Sequence, residues 1–312
     1  MIIEEDISFK SGKYNLAGTL TFPEESGSFP AVLLITGSGQ VDRNENAKKL
    51  RINVFAQISR FLAENGIASL KYDKRGVGAS QGIYWETGFF DNVDDAQSAF
   101  EYLKSNDRVQ SENTFLLGHS EGAIITTRLA GSGVDAAGGI LLAGSAQTGE
   151  DILVWQTQQV VKNMSGYQRW MIDHLHVDVN KSLQKKLDKI KSSSKDWWRV
   201  QLIAKINAKW MREFIAYNPA EDFPKTQVPL LAITGSKDIQ VDPADLKKMA
   251  GLVKNDFEYH EIDDVSHILR RINGDGAGLS SYKKQVIRPI EPEILNIILN
   301  WLRRKIKQKV EK

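Results

Sequence analysis

The sequence predicts an α/β protein with a mostly parallel central sheet and helices on both faces. Eight short strand-like runs recur along the chain, and amphipathic helical segments lie between the later ones. These later runs, such as Ala-Val-Leu-Leu-Ile at 31–35, are continuously apolar, which is typical of strands covered on both faces. Strands that alternate with helices in this way are usually parallel neighbours in one sheet.

The first two strands form an antiparallel pair in this prediction, because Ser11-Gly12-Lys13 indicates a hairpin turn between them. The predicted strands are, in order, Ile3–Phe9, Tyr14–Phe22, Ala31–Thr36, Ile67–Tyr72, Thr114–Gly118, Gly139–Ala143, Leu230–Thr234 and Phe257–Ile262. The predicted helices are Ile52–Asn65, Asn92–Ser105, Glu121–Leu129, Ala244–Val253 and Pro292–Lys305. Each is amphipathic, so we expect one face of each helix to pack on the sheet.

The alternation is interrupted between residues 148 and 225, where the pattern favours helices and we find no convincing strand. Five of the seven Trp lie here, and residues 181–210 contain nine Lys or Arg against two Asp. Because this segment stands between two predicted core strands, we expect a helical cap at 148–225. The core is then formed by residues 1–147 and 226–312.

The composition excludes several kinds of site. The 312 residues include no Cys, which excludes disulfides, cysteine–zinc sites, iron–sulfur clusters and a cysteine nucleophile. The net charge of +2 argues against a dedicated nucleic-acid-binding protein. The acidic start and the short apolar runs predict no signal peptide and no membrane span, and therefore a cytoplasmic protein. We expect no metal and no cofactor; the sequence leaves open whether the chain forms a homo-oligomer.

The sharpest chemical signal is Gly118-His119-Ser120-Glu121-Gly122, which follows an apolar strand and opens a helix. This is the context of a nucleophile elbow, in which a serine on a strained strand-to-helix turn is held out of the sheet. The helix N-terminus adds free N–H groups and a positive dipole. A serine hydroxyl is a weak nucleophile at neutral pH, so Ser120 needs an adjacent base and a carboxylate that orients the base.

Two histidines and two aspartates compete for these roles. His260 lies within the last predicted strand, whereas His267 follows it in a loop, where an open α/β sheet collects its catalytic side chains. We therefore assign His267 as the base. Asp242 precedes Pro243 and a helical run, which is the pattern of a helix N-cap. Asp238 has no such structural role, and we assign it as the orienting acid.

The remaining site residues follow from the same chemistry. An oxyanion hole needs the N–H of Glu121, directly after the nucleophile, and a second N–H from the loop at 36–43, for which Gly39 and Gln40 are the candidates. We expect a substrate pocket beside Ser120. Its expected lining residues are His119 and the cap residues Trp155, Trp170 and Trp210.

Four blocks of sequence resemble the α/β-hydrolases, and among them the bacterial carboxylesterases with a helical cap. The blocks are Gly37-Ser38-Gly39-Gln40-Val41-Asp42-Arg43, Tyr72-Asp73-Lys74-Arg75-Gly76-Val77-Gly78-Ala79-Ser80, the Ser120 elbow, and Gly235-Ser236-Lys237-Asp238 with Ser266-His267. The resemblance implies an α/β-hydrolase fold and a catalytic triad of Ser120, Asp238 and His267. It also implies hydrolysis of small to medium carboxylic esters through an acyl-enzyme.

Other functions stay open at this point. Acyl-CoA thioesterases, acyltransferases and aminopeptidases use the same triad on the same fold, and the basic cap favours an anionic leaving group. A non-catalytic ligand-binding protein that retains the fold is the alternative from a different class. We expect the partner of the chain to be a small ester substrate.

Overall fold

The computed structural model describes residues 1–162, 164, 166, 170, 174, 178–200, 204–272 and 281–307. Twelve strands lie in this part of the chain, and eight of them form one sheet. In chain order they are β1 (Ile3–Ser11), β2 (Tyr14–Phe22), β3 (Phe29–Ile35), β4 (Asn46–Ala47), β5 (Leu50–Arg51), β6 (Ala68–Tyr72), β7 (Val109–His119), β8 (Gly139–Leu142), β9 (Trp197–Val200), β10 (Ala204–Asn207), β11 (Leu230–Gly235) and β12 (Phe257–Ile262).

The large sheet has the strand order β1-β2-β6-β3-β7-β8-β11-β12. Strand β2 runs antiparallel to both β1 and β6, and every later pair is parallel. The carboxyl ends of the parallel strands therefore meet at one edge of the sheet, where open α/β folds place their ligands. The predicted α/β class, with a mostly parallel sheet that begins with a hairpin, is confirmed.

Helices cover both faces of the sheet. The described helices are α1 (Val54–Glu64), α2 (Phe89–Lys104), α3 (Glu121–Gly131), α4 (Gly149–Lys162), α5 (Val179–Lys191), α6 (Ala208–Ala216), α7 (Asp245–Leu252), α8 (Tyr282–Gln285) and α9 (Pro292–Lys305). Neighbouring residues of β3 enter opposite core clusters: Leu33 packs with α2 and α3, and Leu34 packs with α1 and α9. The apolar run at 31–35 is continuous because this strand is buried on both faces.

Local capping explains the differences between predicted and observed helix starts. Helix α2 begins at Phe89, three residues before the predicted start, because the Asp91 carboxylate accepts the Gly88 N–H at 2.7 Å. Helix α1 begins at Val54, after Asn53, whose φ of 49° places it in the left-handed region. Asparagine tolerates this conformation better than most residues, so it ends the preceding loop.

The expectation that residues 148–225 contain no strand is wrong. Strands β9 and β10 form a two-stranded antiparallel hairpin, in which Trp198 pairs with Ile206. Aromatic and β-branched side chains favour strands, but the Lys and Arg residues between them obscured this signal in the sequence. The segment otherwise contributes α4, α5 and α6, and its limits as a domain stay a prediction. Within the described residues, every helix is too short or too polar to cross a membrane.

Candidate active site

Ser120 occupies the turn between β7 and α3 with φ 56° and ψ −118°, a backbone conformation that non-glycine residues adopt only when their surroundings enforce it. The two flanking glycines make this turn sterically feasible. A Cβ at Gly118 would overlap the Gly122 carbonyl, and a Cβ at Gly122 would overlap the carbonyl oxygen of Ile35 in β3. The elbow is therefore packed against the neighbouring strand, and Ser120 is left partly exposed at the carboxyl edge of the sheet.

Asp238 and His267 come from the loops after β11 and β12. These two strands are parallel neighbours, so both loops leave the same edge of the sheet. The loops pass each other closely, because the Lys237 N–H donates to the Val265 carbonyl at 3.0 Å. A Cβ at Gly235 would overlap this same carbonyl. The glycine at the end of β11 thus permits the approach that brings the aspartate to the histidine.

His267 Nδ1 lies 2.8 Å from Asp238 Oδ2, and both side chains are buried. The other carboxylate oxygen, Oδ1, accepts the backbone N–H groups of Gln240 at 2.7 Å and Val241 at 2.9 Å. Asp238 is therefore fixed by three donors, and it holds one edge of the imidazole ring. The other ring nitrogen of His267, Nε2, is not held by Asp238 and is available to a second partner.

The competing residues have other partners. Asp242 is not the N-cap of α7 as predicted, because that position is taken by Ala244; its Oδ1 instead accepts the Ala244 N–H at 3.0 Å in the turn before the helix. His260 Nε2 lies 2.9 Å from Glu258 Oε1 on β12. Both residues are thus engaged in local contacts of their own elements.

Ser120 and His267 line one cavity of about 140 Å³ at the carboxyl edge. Its other lining residues are Gly37, Ser38, Val41, Glu45, Ala47, Leu50, Ile52, His119, Gln240, Ile268 and Tyr282. The structure therefore brings the predicted nucleophile, base and acid to one place. Among the described residues, no group of three or more His, Asp or Glu side chains is arranged to hold a metal ion.

The loop after β3 contributes Gly37 and Ser38 to this cavity. The two residues named from the sequence, Gly39 and Gln40, are not among the lining residues that the structure describes. The Gly37 N–H is already used, since it donates to Glu45 Oε1 at 2.6 Å. A Cβ at Gly37 would lie 3.2 Å from Ser120 Cβ, so the chain passes the nucleophile two to three residues earlier than expected.

His119 lies beneath the cavity and joins three parts of the site. Its Nδ1 is 3.1 Å from Oε1 and 3.0 Å from Oε2 of Glu45, and its Nε2 is 2.8 Å from the His267 carbonyl oxygen. Because both ring nitrogens face acceptors, the geometry favours the doubly protonated imidazolium. Burial lowers the pKa of His119, but the adjacent Glu45 carboxylate outweighs this effect and raises the pKa above its usual value.

The side chain of Glu121 is also buried and accepts several hydrogen bonds, a structural role that the sequence did not indicate. Its carboxylate accepts hydrogen bonds from Lys74 Nζ at 3.1 Å, Asn92 Nδ2 at 3.0 Å and Trp210 Nε1 at 2.8 Å. Lys74 Nζ also donates to the Gly37 carbonyl at 2.5 Å. These bonds connect the elbow to the loop after β3 and to helix α6.

The three tryptophans expected in the substrate pocket lie elsewhere. Trp210 stacks on Phe214 at a centroid distance of 4.7 Å and bonds to Glu121, so it anchors α6 on the core. Trp155 is partly buried on α4, and its buried indole N–H has no acceptor among the described residues. Trp170 is 57% exposed and stacks on His174. Of the expected pocket residues, only His119 lines the cavity that holds Ser120.

An apolar cavity of about 280 Å³ adjoins the Ser120 cavity, and Gln240 lines both. One face of α4 forms much of its wall, and Ile239 contributes from the loop that carries Asp238. The α4 residues are spaced by three and four positions, as expected for a single helix face: Leu153, Gln156, Thr157, Val160 and Val161. The hydrogen bond from Gln156 Nε2 to the Gln240 carbonyl at 3.0 Å holds this helix beside the catalytic loop.

Comparison with known proteins identifies the family of the chain. Residues 51–271, more than half of the chain, match the family model described as serine aminopeptidase, S33 (Hydrolase_4). The chain belongs to this family of α/β-hydrolases. It is also 27% identical over 304 residues to the esterase EstD of Thermotoga maritima, a match that covers 96% of this chain and 67% of EstD.

Solved structures with the same fold include an esterase and a peptidase. The esterase Pf2001 of Pyrococcus furiosus superposes with a TM-score of 0.64 at 15% identity, over 98% of this chain and 92% of that chain. The proline iminopeptidase of Mycobacterium smegmatis superposes with a TM-score of 0.62 at 14% identity, over 96% and 98% of the two chains. At such low identity these likenesses show the fold alone. The protein is thus a serine hydrolase of the α/β-hydrolase fold.

Proposed function

We propose that the protein is a carboxylesterase that cleaves small to medium esters through an acyl-enzyme on Ser120. The observation that carries this proposal is the buried hydrogen bond between Asp238 Oδ2 and His267 Nδ1, beside the cavity that both His267 and Ser120 line. This bond orients the imidazole so that Nε2 serves as a base toward the serine. The identity with EstD supports an ester as the substrate.

The reaction has two halves. In the first, Ser120 Oγ bonds to the ester carbonyl carbon while His267 takes the hydroxyl proton, and the tetrahedral intermediate then expels the alcohol, which leaves with that proton. In the second, His267 removes a proton from water, the hydroxide adds to the acyl carbon, and the carboxylic acid leaves as Ser120 regains its proton. Asp238 remains ionised and stabilises the imidazolium in both halves.

Two backbone N–H groups hold the oxyanion in this proposal, those of Glu121 and Ser38. Glu121 is the first residue of α3, so its N–H has no acceptor within the helix. Ser38 replaces Gly39 and Gln40 as the donor from the loop after β3, for two reasons. Ser38 lines the cavity together with Ser120, and the N–H of the preceding residue, Gly37, is already bound to Glu45. One such donor contributes about 3–4 kcal/mol to the transition state.

We further propose that residues 148–225 form a cap over this site. The apolar face of α4 beside Gln240 supports the proposal, because it offers a cavity of about 280 Å³ for the acyl or alcohol part of the ester. The bond between Trp210 and Glu121 supports it as well, since it fastens α6 of the same segment to the elbow.

The charge around Ser120 favours an ester over an amino-acid amide. An aminopeptidase needs an anionic group to bind the free α-ammonium of its substrate. Among the described residues that line the Ser120 cavity, the only carboxylate is that of Glu45, and it is paired with His119 and the Gly37 N–H. The remaining lining side chains are apolar or neutral apart from the histidines, which suits an uncharged ester.

Steady-state kinetics on three substrates tests the proposal. The enzyme is assayed with p-nitrophenyl butanoate, butanoyl-CoA and alanine p-nitroanilide, and we expect the highest kcat/KM on the ester. Ser120→Ala lowers that value by at least about 10³-fold. Ser132→Ala is the matched control, because Ser132 caps the far end of the same helix. A faster reaction on the anilide or the thioester, or undiminished activity of Ser120→Ala, would contradict the proposal.

A further inference from the structure

A third cavity, of about 700 Å³, lies within the 148–225 segment, between α5, α6 and the β9–β10 hairpin. Its described lining residues are Leu153, Leu183, Lys186, Leu187, Lys189, Ile190, Ser192, Ser193, Lys195, Trp198, Arg199, Ile206 and Met211. None of these lines the Ser120 cavity. We refer to this space as the cation-rimmed cavity; it shares Leu153 with the apolar cavity of about 280 Å³ and no residue with the Ser120 cavity.

The floor of the cation-rimmed cavity is apolar. Leu183, Leu187 and Ile190 lie on one face of α5, at spacings of four and three residues, and they meet Met211 of α6. Leu187 and Ile190 are buried, whereas Leu183 and Met211 are half-buried because part of their surface faces the cavity. An apolar space of this size favours an elongated hydrocarbon group, since the transfer of methylene groups out of water into an apolar site is favourable.

The rim carries four cations, Lys186, Lys189, Lys195 and Arg199, and the described lining residues include no Asp or Glu. None of the four lies within 4.0 Å of a carboxylate in the described part of the chain. Lys191, which does not line the cavity, shows the contrast, because its Nζ pairs with Glu150 at 2.7 Å. The side chains that face the cavity thus retain positive charge that an anionic ligand would neutralise.

Lys189 Nζ on the rim lies 5.6 Å from the centroid of the Trp198 ring. This cation–π contact holds the ammonium group above the apolar floor without cancelling its charge. A ligand that satisfies both features has a hydrocarbon chain and an anionic head. A fatty-acid anion has both features, since Lys and Arg form short charge-assisted hydrogen bonds with carboxylate oxygens.

We propose that the cation-rimmed cavity binds the anion of a long-chain fatty acid, with its chain on the apolar floor and its carboxylate at the rim. The site does not depend on the chemistry at Ser120, so it can be tested without turnover. Sodium dodecanoate below its micelle concentration is titrated calorimetrically into the full-length Ser120→Ala protein. We expect one saturable site, with a Kd that rises as NaCl is increased from about 0.05 M to about 0.5 M.

Charge reversal tests the rim. We expect Lys189→Glu combined with Arg199→Glu to raise the Kd for dodecanoate by at least about tenfold. Lys185→Glu is the matched control, because Lys185 is exposed on the same helix and does not line the cavity. We expect it to change the Kd less than about twofold. Dodecan-1-ol tests the floor: its Kd is insensitive to the charge reversal, whereas Met211→Trp, which narrows the cavity at its apolar floor, weakens both ligands.

Three results would overturn the proposal. One is the absence of saturable dodecanoate binding to Ser120→Ala. Another is an equal effect of the rim reversal and of Lys185→Glu. The third is a protein that does not bind dodecanoate but binds phosphatidylglycerol vesicles, and loses that binding on charge reversal of the rim. The rim would then bind an anionic membrane surface. If the reversal impairs folding, which circular dichroism reports, the single variant Lys186→Ala and the salt titration decide the outcome.

Discussion

The buried pair of Glu45 and His119 offers a quantitative test of how the site is held together. Glu45→Gln keeps the size of the side chain and removes its charge. In the wild-type protein the carboxylate accepts the Gly37 N–H at 2.6 Å and contacts His119 Nδ1 at 3.0–3.1 Å, while both side chains are almost fully buried. The change therefore leaves the buried imidazolium of His119 without its adjacent counter-charge.

The expected loss of unfolding free energy in Glu45→Gln depends on pH and is largest at low pH. Removal of one partner of a buried pair costs about 3–5 kcal/mol, but His119 can lose its proton in the variant, so we expect about 2–3 kcal/mol. The wild-type pKa of His119 is raised by Glu45. The stability from this pair is fully present below the ordinary histidine pKa of about 6.5, and it is lost as the pH rises through the raised folded-state pKa.

Equilibrium unfolding in urea from pH 6 to pH 10 measures this cost. We expect the difference in unfolding free energy between wild type and Glu45→Gln to be largest near pH 6 and to shrink as the pH rises. Glu64→Gln is the control, since Glu64 forms an exposed pair with Arg60 that contributes at most about 0.5 kcal/mol. A difference that grows with pH, or one no larger than the control's, would refute the reasoning.

Three further predictions concern the site and the proposed cap. Asp238→Asn lowers kcat on p-nitrophenyl butanoate by about 10³–10⁴-fold while KM changes little, because the base loses its orienting carboxylate; an unchanged kcat in steady-state assays would be inconsistent with that role. Trp210→Phe lowers the unfolding free energy in urea by about 1–2 kcal/mol through the lost donor to a buried carboxylate, and exposed Trp197→Phe has a smaller effect. Thr157→Trp, on the α4 face of the apolar cavity, shifts the chain-length preference toward short acyl esters, whereas Gln158→Trp on the exposed face leaves it unchanged.

Much of the fold could be predicted from periodicity. The eight strands of the main sheet all appear within a few residues of their predicted positions, since buried parallel strands produce continuous apolar runs that polar loops separate. The hairpin at Trp197–Asn207 was missed because its strands have only four residues each and carry cationic side chains. In such a short pair, tertiary contacts decide the conformation more than the local pattern does.

The sequence predicted the site residues that follow one of these strands. Ser120, Asp238 and His267 each follow a core strand at its carboxyl end, and parallel connections bring such positions together. Glu45 lies in a loop without periodicity, so only the folded chain reveals that it faces His119. The tryptophans were wrongly predicted to line the pocket for a similar reason. Composition indicates that they provide apolar surface, but it does not show which element that surface contacts in the folded chain.

Covalent labelling tests the central claim most directly. The protein is treated with a fluorophosphonate, whose phosphorus accepts an activated serine oxygen with loss of fluoride, and the modified peptide is located by mass spectrometry. We expect one phosphonate per chain on Ser120, loss of esterase activity in proportion to labelling, and much slower labelling of Asp238→Asn. A folded protein that hydrolyses esters while Ser120 stays unmodified, or that is modified at another serine as it loses activity, would contradict it.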